Sequence, residues 1–539
     1  MSIKRYWATA DTTITNAYKD NLSSRGTGSN MGLADSLEVF SIYGQASGSK
    51  DSGFSQELSR VLVKFPIGTS SDATNSIQAH RNAGSVPASG NVSFFLKMYN
   101  VEHGFTLPVS GTYNIFAASS SWEEGRGLDM NGYLDITKDG EGANWINRAS
   151  GSTWGKMGGD YHTASADKEF MYRKNMILGD DDLDINVTGL VEQWMKGVYV
   201  DHGFGIFLTS SQEAYFSSST GGDYSSAGVT SLSGVLHNIV GAKKSYYTKK
   251  FSARSSEYFF KRPVIEARWD SSTKDDRGGV FYSSSLATPE ENLNSLYFYN
   301  YFKGKLRDIP GQPGIYVGLF SGNADNTKPS TIQVHPYEDN IHVKSLSVTA
   351  SKVSTGVWSA SFALTAAATP LNTLFDVWYL TGNALQNNIH LGTQFHTGSF
   401  SVTKLYGYNH AVDTSYASSI SNLRKEYSRR ETARFRVYAR QRDWNPTIYS
   451  KAVATAIPSI IDSGSWRVYR VIDELDIVPF GTGSDNHTQM SFDVSGNYFD
   501  LDMGMLDSGY AYAIKLAYYN DSVGDWVEQP EMFKFRVED

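Results

Sequence analysis

Apolar and polar residues alternate with period two along most of the chain, the pattern of strands with one face in a core and the other toward solvent. Val61, Val63 and Phe65 alternate with Leu62 and Lys64, and Val92, Phe94, Leu96 and Met98 with Ser93, Phe95 and Lys97. Further on, Ile315, Val317 and Leu319 share one face, as do Trp358, Ala360, Phe362 and Leu364 behind Ser359 and Ser361. Phe435 and Val437 alternate with Arg434, Arg436 and Tyr438. Phe533, Phe535 and Val537 alternate with Lys534 and Arg536, a regularity that pins this strand into a sheet. Helical spacing is rare. Val187, Leu190, Val191 and Trp194 fall at i, i+3, i+4 and i+7 with Gly197 behind them, which predicts one short amphipathic helix at about 187–196. Ile420, Leu423 and Tyr427 offer a second, weaker helix. The Gly/Ser/Asp-rich stretches 44–53 and 217–226 are too polar to bury and read as surface loops.

The expectation is an all-β chain of tandem antiparallel β-sandwiches. Its 539 residues suit about three domains of ~100–200 residues. Composition changes at 269–279 (WDSSTKDDRGG), after an apolar strand holding Val264 and Ile265, and again near 404–412 (KLYGYNHAV). These changes divide the chain into 1–270, 271–404 and 405–539. With 33 Tyr, 28 Phe and only 14 Pro the composition favours sheets and leaves no Pro-rich linker. Cysteine is absent, which excludes disulfides, thiolate zinc or iron–sulfur centres and cysteine nucleophiles. The 48 Lys and Arg against 56 Asp and Glu give a net charge of −8, which repels polyphosphate, so nucleic acid is not an expected partner. No run of 18 apolar residues predicts membrane insertion. The opening MSIKRYWATADTTIT lacks the apolar stretch of a secretory signal. The expectation is a protein made in a cytoplasm that stays soluble or leaves by another route, such as a virus particle released by lysis.

Enzymatic templates find little to hold. There is no G-x-x-x-x-G-K-[ST], no G-x-S-x-G and no H-E-x-x-H, and Gly26-Thr-Gly-Ser-Asn-Met-Gly32 matches a phosphate loop in composition only. The eleven histidines are scattered, and the pair His390 and His396 has no neighbouring carboxylates to complete a zinc site. Glu123, Glu124 and Asp129, beside Trp122, are the carboxylates best placed for glycoside hydrolysis; the alternative is a solvated turn anchored by the Trp. Trp122, Trp145 and Trp154 either stack on a sugar in a groove or plug the open end of a sandwich. Calcium is the ion that fits best, at Asp180, Asp181, Asp182 and Asp184 just before the helix, with a solvated acidic loop as the alternative. The segment from Asp135 to Gly140 opens like an EF-hand but carries Thr137 at position 3 and Ile146 at position 12.

The first half of the chain carries an ordered series of motifs. They are Ala10-Asp11-Thr12-Thr13-Ile14, the R-x-L-x-K-F strand at Arg60–Phe65, Trp122-Glu123-Glu124-Gly125, and Gly142-Ala143-Asn144-Trp145 with Trp154. Asp184-Ile185-Asn186-Val187-Thr188-Gly189-Leu190-Val191 with Trp194 follows, and Phe251-Ser252-Ala253-Arg254 leads to Arg262-Pro263-Val264-Ile265-Glu266. This succession resembles the DNRLRE-type β-sandwich, similar to carbohydrate-binding modules and found in surface and phage structural proteins. The closing motif departs from the pattern, with seven residues between Arg254 and Arg262. The remainder resembles the Ig-like domains of structural proteins from tailed bacteriophages, in particular T4-like phages of marine cyanobacteria. The segments that carry this are Gly314–Phe320, Phe435–Arg440, Asn497–Leu501 and Phe533–Val537. The resemblance implies a jelly-roll-like N-terminal domain followed by two Ig-like domains. It implies a non-enzymatic structural protein of the virion, in the neck, tail or capsid exterior, forming a homo-oligomer and contacting other virion proteins. A glycan-binding module for host attachment is the alternative, with a polysaccharide depolymerase third.

Overall fold

The computed structural model describes residues 2–45, 55–68, 75–104, 108–128, 141–164, 170–216, 234–309, 314–334, 336–338, 347–366, 371, 373–380, 394–403, 415–442, 448 and 458–539. The chain is all-β, built of tandem antiparallel β-sandwiches, and parts into two compact units, Ser2–Asp270 and Ser271–Asp539.

The first unit runs through β1 (Ile3–Trp7), β2 (Ala10–Thr15), β3 (Ser36–Tyr43), β4 (Gln56–Lys64), α1 (Ile77–Asn82), β5 (Ser93–Met98) and β6 (Gly111–Ala117). It continues with β7 (Asn147–Ala149), β8 (Ser152–Thr153), β9 (Met171–Met176), β10 (Leu183–Asn186), α2 (Thr188–Met195), β11 (Phe204–Leu208), β12 (Tyr246–Ser252) and β13 (Val264–Arg268). One sheet has the order β1-β13-β5-β10; the other has β12-β3-β4-β11-β6-β9, with β2 alongside β4. Val61, Val63, Phe94, Leu96, Ile115, Phe204, Ile206 and Ile265 meet between the sheets. The helix expected at 187–196 is α2, and its Leu190, Val191 and Trp194 enter this core, with Trp194 edge-on to Phe204 at 5.0 Å between ring centroids.

The larger sheet is covered on both faces. Along β4 the residues Val61 and Val63 point to the core between the sheets, while Leu58 and Leu62 join Ile14 in a second apolar layer with Ala143, Trp145, Trp154, Met157, Ala214 and Leu236. That outer layer is contributed by long connections, so β4 is buried along nearly its whole length instead of half-buried as its alternation predicts. Charges on the smaller sheet are also internal. Glu266 is fully buried on β13 and is held by Arg5 at 2.8 Å, Arg268 at 2.6 Å and Lys97 at 3.8 Å. Burial alone would raise the pKa of this carboxyl, but the three cations outweigh it and hold it well below the usual carboxylate range.

In the second unit, the sandwich of residues 294–403 sets strands 294–299 and 357–363 against strands 315–322, 373–380 and 394–401. Strand Val348–Ser354 joins the two layers, pairing with 315–317 through its first half and with 357–359 through its second. Asp376, fully buried, accepts both guanidinium nitrogens of Arg277 at 2.7 and 2.6 Å and the indole N–H of Trp378 at 2.7 Å. In the next sandwich, strands 416–420, 432–441, 496–502 and 491–493 face a sheet centred on 464–470 and 511–520. Trp466 and Phe499 stack across that core at 4.8 Å. Strand Phe533–Glu538 lies inside its sheet, antiparallel to 511–514 and parallel to 426–428. The second helix expected around Ile420 is absent: Tyr416–Ile420 and Glu426–Ser428 are strands, because Ile420 and Tyr427 each find a place in the sandwich core.

Candidate functional site

Three residues far apart in sequence converge in the first unit. Asp11 on β2, Glu124 in the loop after β6 and Arg254 just after β12 form one knot, in which Asp11 is buried and the other two are partly exposed. Arg254 donates two hydrogen bonds to Glu124, at 3.0 and 2.8 Å, and Glu124 also accepts the Asp11 backbone N–H at 2.9 Å. Asp11 accepts the Arg254 backbone N–H at 2.6 Å through one carboxyl oxygen, and the other is buried with no hydrogen-bond partner. Burial, reinforced by the Glu124 charge and opposed by Arg254, pushes the Asp11 carboxyl up to about 7. Beside it, the side chain of Asn30 donates to the carbonyls of Glu124 and Ala143 and accepts the N–H groups of Gly32 and Gly127. Gly125, at φ +79°, packs so close to Asn30 that a Cβ there would lie 2.4 Å from its amide oxygen. These contacts lock three loops together.

This arrangement removes Glu124 from glycoside hydrolysis, since its carboxylate is held by a guanidinium and a backbone donor; Asp129 lies outside the described residues. The reading of the tryptophans as a sugar platform is also corrected for Trp145 and Trp154. Trp145 and Trp154 are core residues of the outer apolar layer, 0% and 4% exposed, and their indole N–H groups donate internally to the carbonyls of Gly234 and Asn144. Trp122 is partly buried against the same layer and donates to the carbonyl of His202. Rings in long connections cover the outer face of the sheet and do not plug the open end of the sandwich.

The acidic run does not assemble a calcium centre. Asp181 accepts the N–H groups of Ile177 and Leu178, Asp182 accepts that of Asn100, and Asp184 lies on β10, within 3.5 Å of Arg268 and 3.9 Å of Lys97. Asp180 is exposed. Lys249 inserts beneath the run, donating to the Gly179 carbonyl at 2.8 Å. Turn formation and a buried lysine thus account for the crowding. Among the described residues no group of three or more His, Asp or Glu is arranged to hold a metal. The segment Asp135–Gly140, His390 and most of the loops 44–53 and 217–226 lie outside the described residues.

A cleft of about 510 Å³ opens on the outer face of the larger sheet, next to this layer. Alternation places it: Tyr113, Ile115 and Ala117 of β6 face the core, so Asn114 and Phe116 face outward. On β9 Arg173 lies directly across from Asn114 and Met171 from Phe116, and Arg173 donates to the Asn114 side chain at 3.2 Å. Phe207 of β11 sits beside them, 5.3 Å from Phe116 between ring centroids. Tyr161 lies over the sheet, 4.7 Å from Phe207, because Gly205 leaves room for it; a Cβ at Gly205 would fall 1.9 Å from the tyrosine ring.

At the base, Arg60 and Glu213 form a buried bidentate pair, both bonds 3.0 Å, with the guanidinium over the Phe207 ring at 4.8 Å. The wall 155–160 is shaped by Asp160, which accepts the N–H groups of Gly155 and Lys156 and the Ser120 hydroxyl. Both carboxylates of the cleft are therefore occupied. Two exposed cations at the lining, Lys156 and Arg173, have no carboxylate within 4 Å among the described residues. Sequence reasoning overlooked this cleft. The signals were the lone Arg60 inside an apolar strand and the adjacent Gly158 and Gly159, which bend the wall back over the sheet at φ +78° and +102°.

No family model matches the chain, and no curated protein does. Solved structures with some likeness include a marsupial T cell receptor, at 12% identity over 47% of this chain and 70% of that one, with a TM-score of 0.15. A chimeric titin Z1Z2 tandem gives 11% identity over 49% of this chain and 95% of that one, TM-score 0.14. The α-2-macroglobulin of Escherichia coli gives 8% identity over 92% of this chain and 30% of that one, TM-score 0.14. At TM-scores this low the likenesses carry no argument about fold or function.

Proposed function

We propose that the protein is a non-enzymatic structural component of a tailed-phage particle, acting through the faces of its β-sandwiches in an oligomeric assembly with other virion proteins. The observation that supports a role without chemistry is that four carboxylates in the sandwiches are tied up by arginines. The buried Glu213, Glu266 and Asp376 and the partly exposed Glu124 are each held by an arginine in a short ion pair. Such pairs position strands and loops; an acid or base must instead face a reacting group. The particle assignment rests on the resemblance of the motifs along the chain. Quantitative mass spectrometry of purified particles from the encoding phage tests it: the chain is expected in a fixed multiple-copy ratio to the major capsid protein, and its absence from particles overturns the proposal.

A second reading has one observation in its favour. The cleft on the larger sheet combines recessed rings, an amide and hydroxyls in a volume suited to a saccharide unit, within the range of ligand sites. A glycan-binding host-attachment role is consistent with it.

A further inference from the structure

We propose that the hairpin at residues 300–307 is a membrane-docking tip: Tyr301, Phe302 and Leu306 enter the headgroup layer of an anionic lipid bilayer while Lys303, Lys305 and Arg307 meet its phosphates. The inference is independent of the particle assignment.

The hairpin leaves the second unit between strands 294–299 and 315–322. Tyr301 pairs with Leu306 and Phe302 with Lys305 around a two-residue turn, Lys303 at φ +50° and Gly304 at φ +76°. Two left-handed residues make the tight turn whose twist matches a hairpin, and its first position, which favours Asn or Gly, carries a lysine at the tip. A two-stranded hairpin alone is marginal in water, but this one is fixed at its root. Asn300 donates its N–H to the Gly356 carbonyl at 2.8 Å and its side-chain amide to the Arg307 carbonyl at 2.6 Å, and its own carbonyl accepts the Arg307 N–H at 3.0 Å. Gly356 packs so close that a Cβ there would lie 2.6 Å from the Arg307 nitrogen. The exposed tip therefore stands on a rigid base.

Both faces of the hairpin are wet. Alternation puts Tyr301 and Leu306 on one face and Phe302 and Lys305 on the other. Tyr301 is 60% exposed, Phe302 52% and Leu306 39%. A flat protein partner covers one face of such a finger and leaves the other ring in water, whereas a fluid lipid interface closes around both. The charge agrees with a lipid. Three cations fall within the five residues from Lys303 to Arg307, on a chain where 48 of 539 residues are Lys or Arg. The next residue, Asp308, is engaged by Lys352 at 2.7 Å and by the Gly356 N–H at 2.8 Å, so it does not offset them. Lys303 and Arg307 lie 5.5 and 5.4 Å from the centre of the Phe302 ring, so a ring that sinks among the headgroups brings both cations to the phosphates. With two paired residues per strand, the finger enters the interface and does not cross the bilayer.

The test is flotation of the full chain with vesicles of phosphatidylcholine alone and with about one-third phosphatidylglycerol. A cation near an anionic surface strengthens binding about fivefold, so the three predict about a hundredfold preference for the anionic vesicles, shrinking as salt rises. All the substituted side chains are exposed, and circular dichroism is expected to show the fold unchanged. Lys303→Gln/Lys305→Gln is expected to weaken binding to the anionic vesicles about 25-fold, and Tyr301→Ser/Phe302→Ser about tenfold. Lys196→Gln/Lys261→Gln, which removes two exposed cations of the first unit, is expected to leave binding unchanged. Absence of vesicle binding, or equal binding to both compositions, overturns the proposal. So does a loss in the Lys196/Lys261 variant as large as in the hairpin variants, or binding untouched by removal of the two rings, since either marks charge adsorption without insertion. Soluble poly-glutamate that captures the chain through the hairpin as strongly as the vesicles do also overturns it, in favour of an acidic protein partner.

Discussion

Replacing Asp11 by Asn tests whether the knot of Asp11, Glu124 and Arg254 holds a proton. In the folded protein this carboxyl titrates near 7 against an ordinary value of 3.8, chiefly because burial disfavours the ion. Its folded pKa is raised, so its contribution to stability is fully present below pH 3.8 and is lost as pH rises through 7. At 1.36 kcal/mol per pKa unit, the whole excursion is worth about 4 kcal/mol, of which about 2–3 kcal/mol falls between pH 5 and pH 8. An asparagine side chain has the same shape, keeps an oxygen for the Arg254 N–H and does not titrate. The variant therefore lacks this slope. Hydrogen exchange of the β2 and β4 amides, corrected for intrinsic rates, reports the first unit by itself. Protection of the wild-type amides is expected to fall by roughly 30–100-fold more than that of the variant between pH 5 and pH 8. Asp201, raised to about 6 mainly by burial, titrates in both proteins and cancels in the difference. A difference between the two proteins that stays constant across this range refutes the reasoning.

Other outcomes follow from the same accounting of buried charge. Arg60→Met strands Glu213 in the outer layer and is expected to cost about 3–5 kcal/mol, whereas the double change Arg60→Met/Glu213→Leu restores most of it, as thermal unfolding can show. Gly205→Ala drives a methyl into the Tyr161 ring, so the ring must leave the sheet; the variant is expected to unfold at lower temperature and to bind any ligand of the cleft more weakly. Glu266→Gln is expected to destabilise the first unit at neutral pH, since Arg5 loses its charged partner. Because the Glu266 carboxyl is held below its usual range, its contribution is present above 4.5 and is lost as pH falls toward the folded value, so exchange protection of wild type and variant should converge in acid.

Much of the architecture was legible in the alternation. The strands around Val61, Phe94, Val317, Phe435 and Phe535 are where the period-two pattern puts them, and α2 follows from four apolar residues and a glycine. The pattern failed where a third layer intervened. Leu62 reads as the outward face of a strand, yet it and Arg60 are buried, because the segments bearing Trp145, Trp154 and Glu213 close over them. Period two records that two faces differ; it does not record that both are covered. The knot was visible only as scattered motifs, since nothing local to Asp11 announces Arg254 or Glu124 as its neighbours. The helix α1 went unseen because six residues with one buried side chain, Ile77, carry no periodicity.

The pairing of β1 with β13 sets Ile3 across from Arg268, and Arg5 across from Glu266, 261 residues further along the chain. Antiparallel partners lie about 5 Å from one another, so the polypeptide enters and leaves this sandwich through a single doorway. Such a body behaves as a cassette: it can be spliced into or out of a surface turn of another protein without stretching the host backbone. The same geometry delays its completion during synthesis, because the opening strand must wait for some 260 residues to emerge before its neighbour exists.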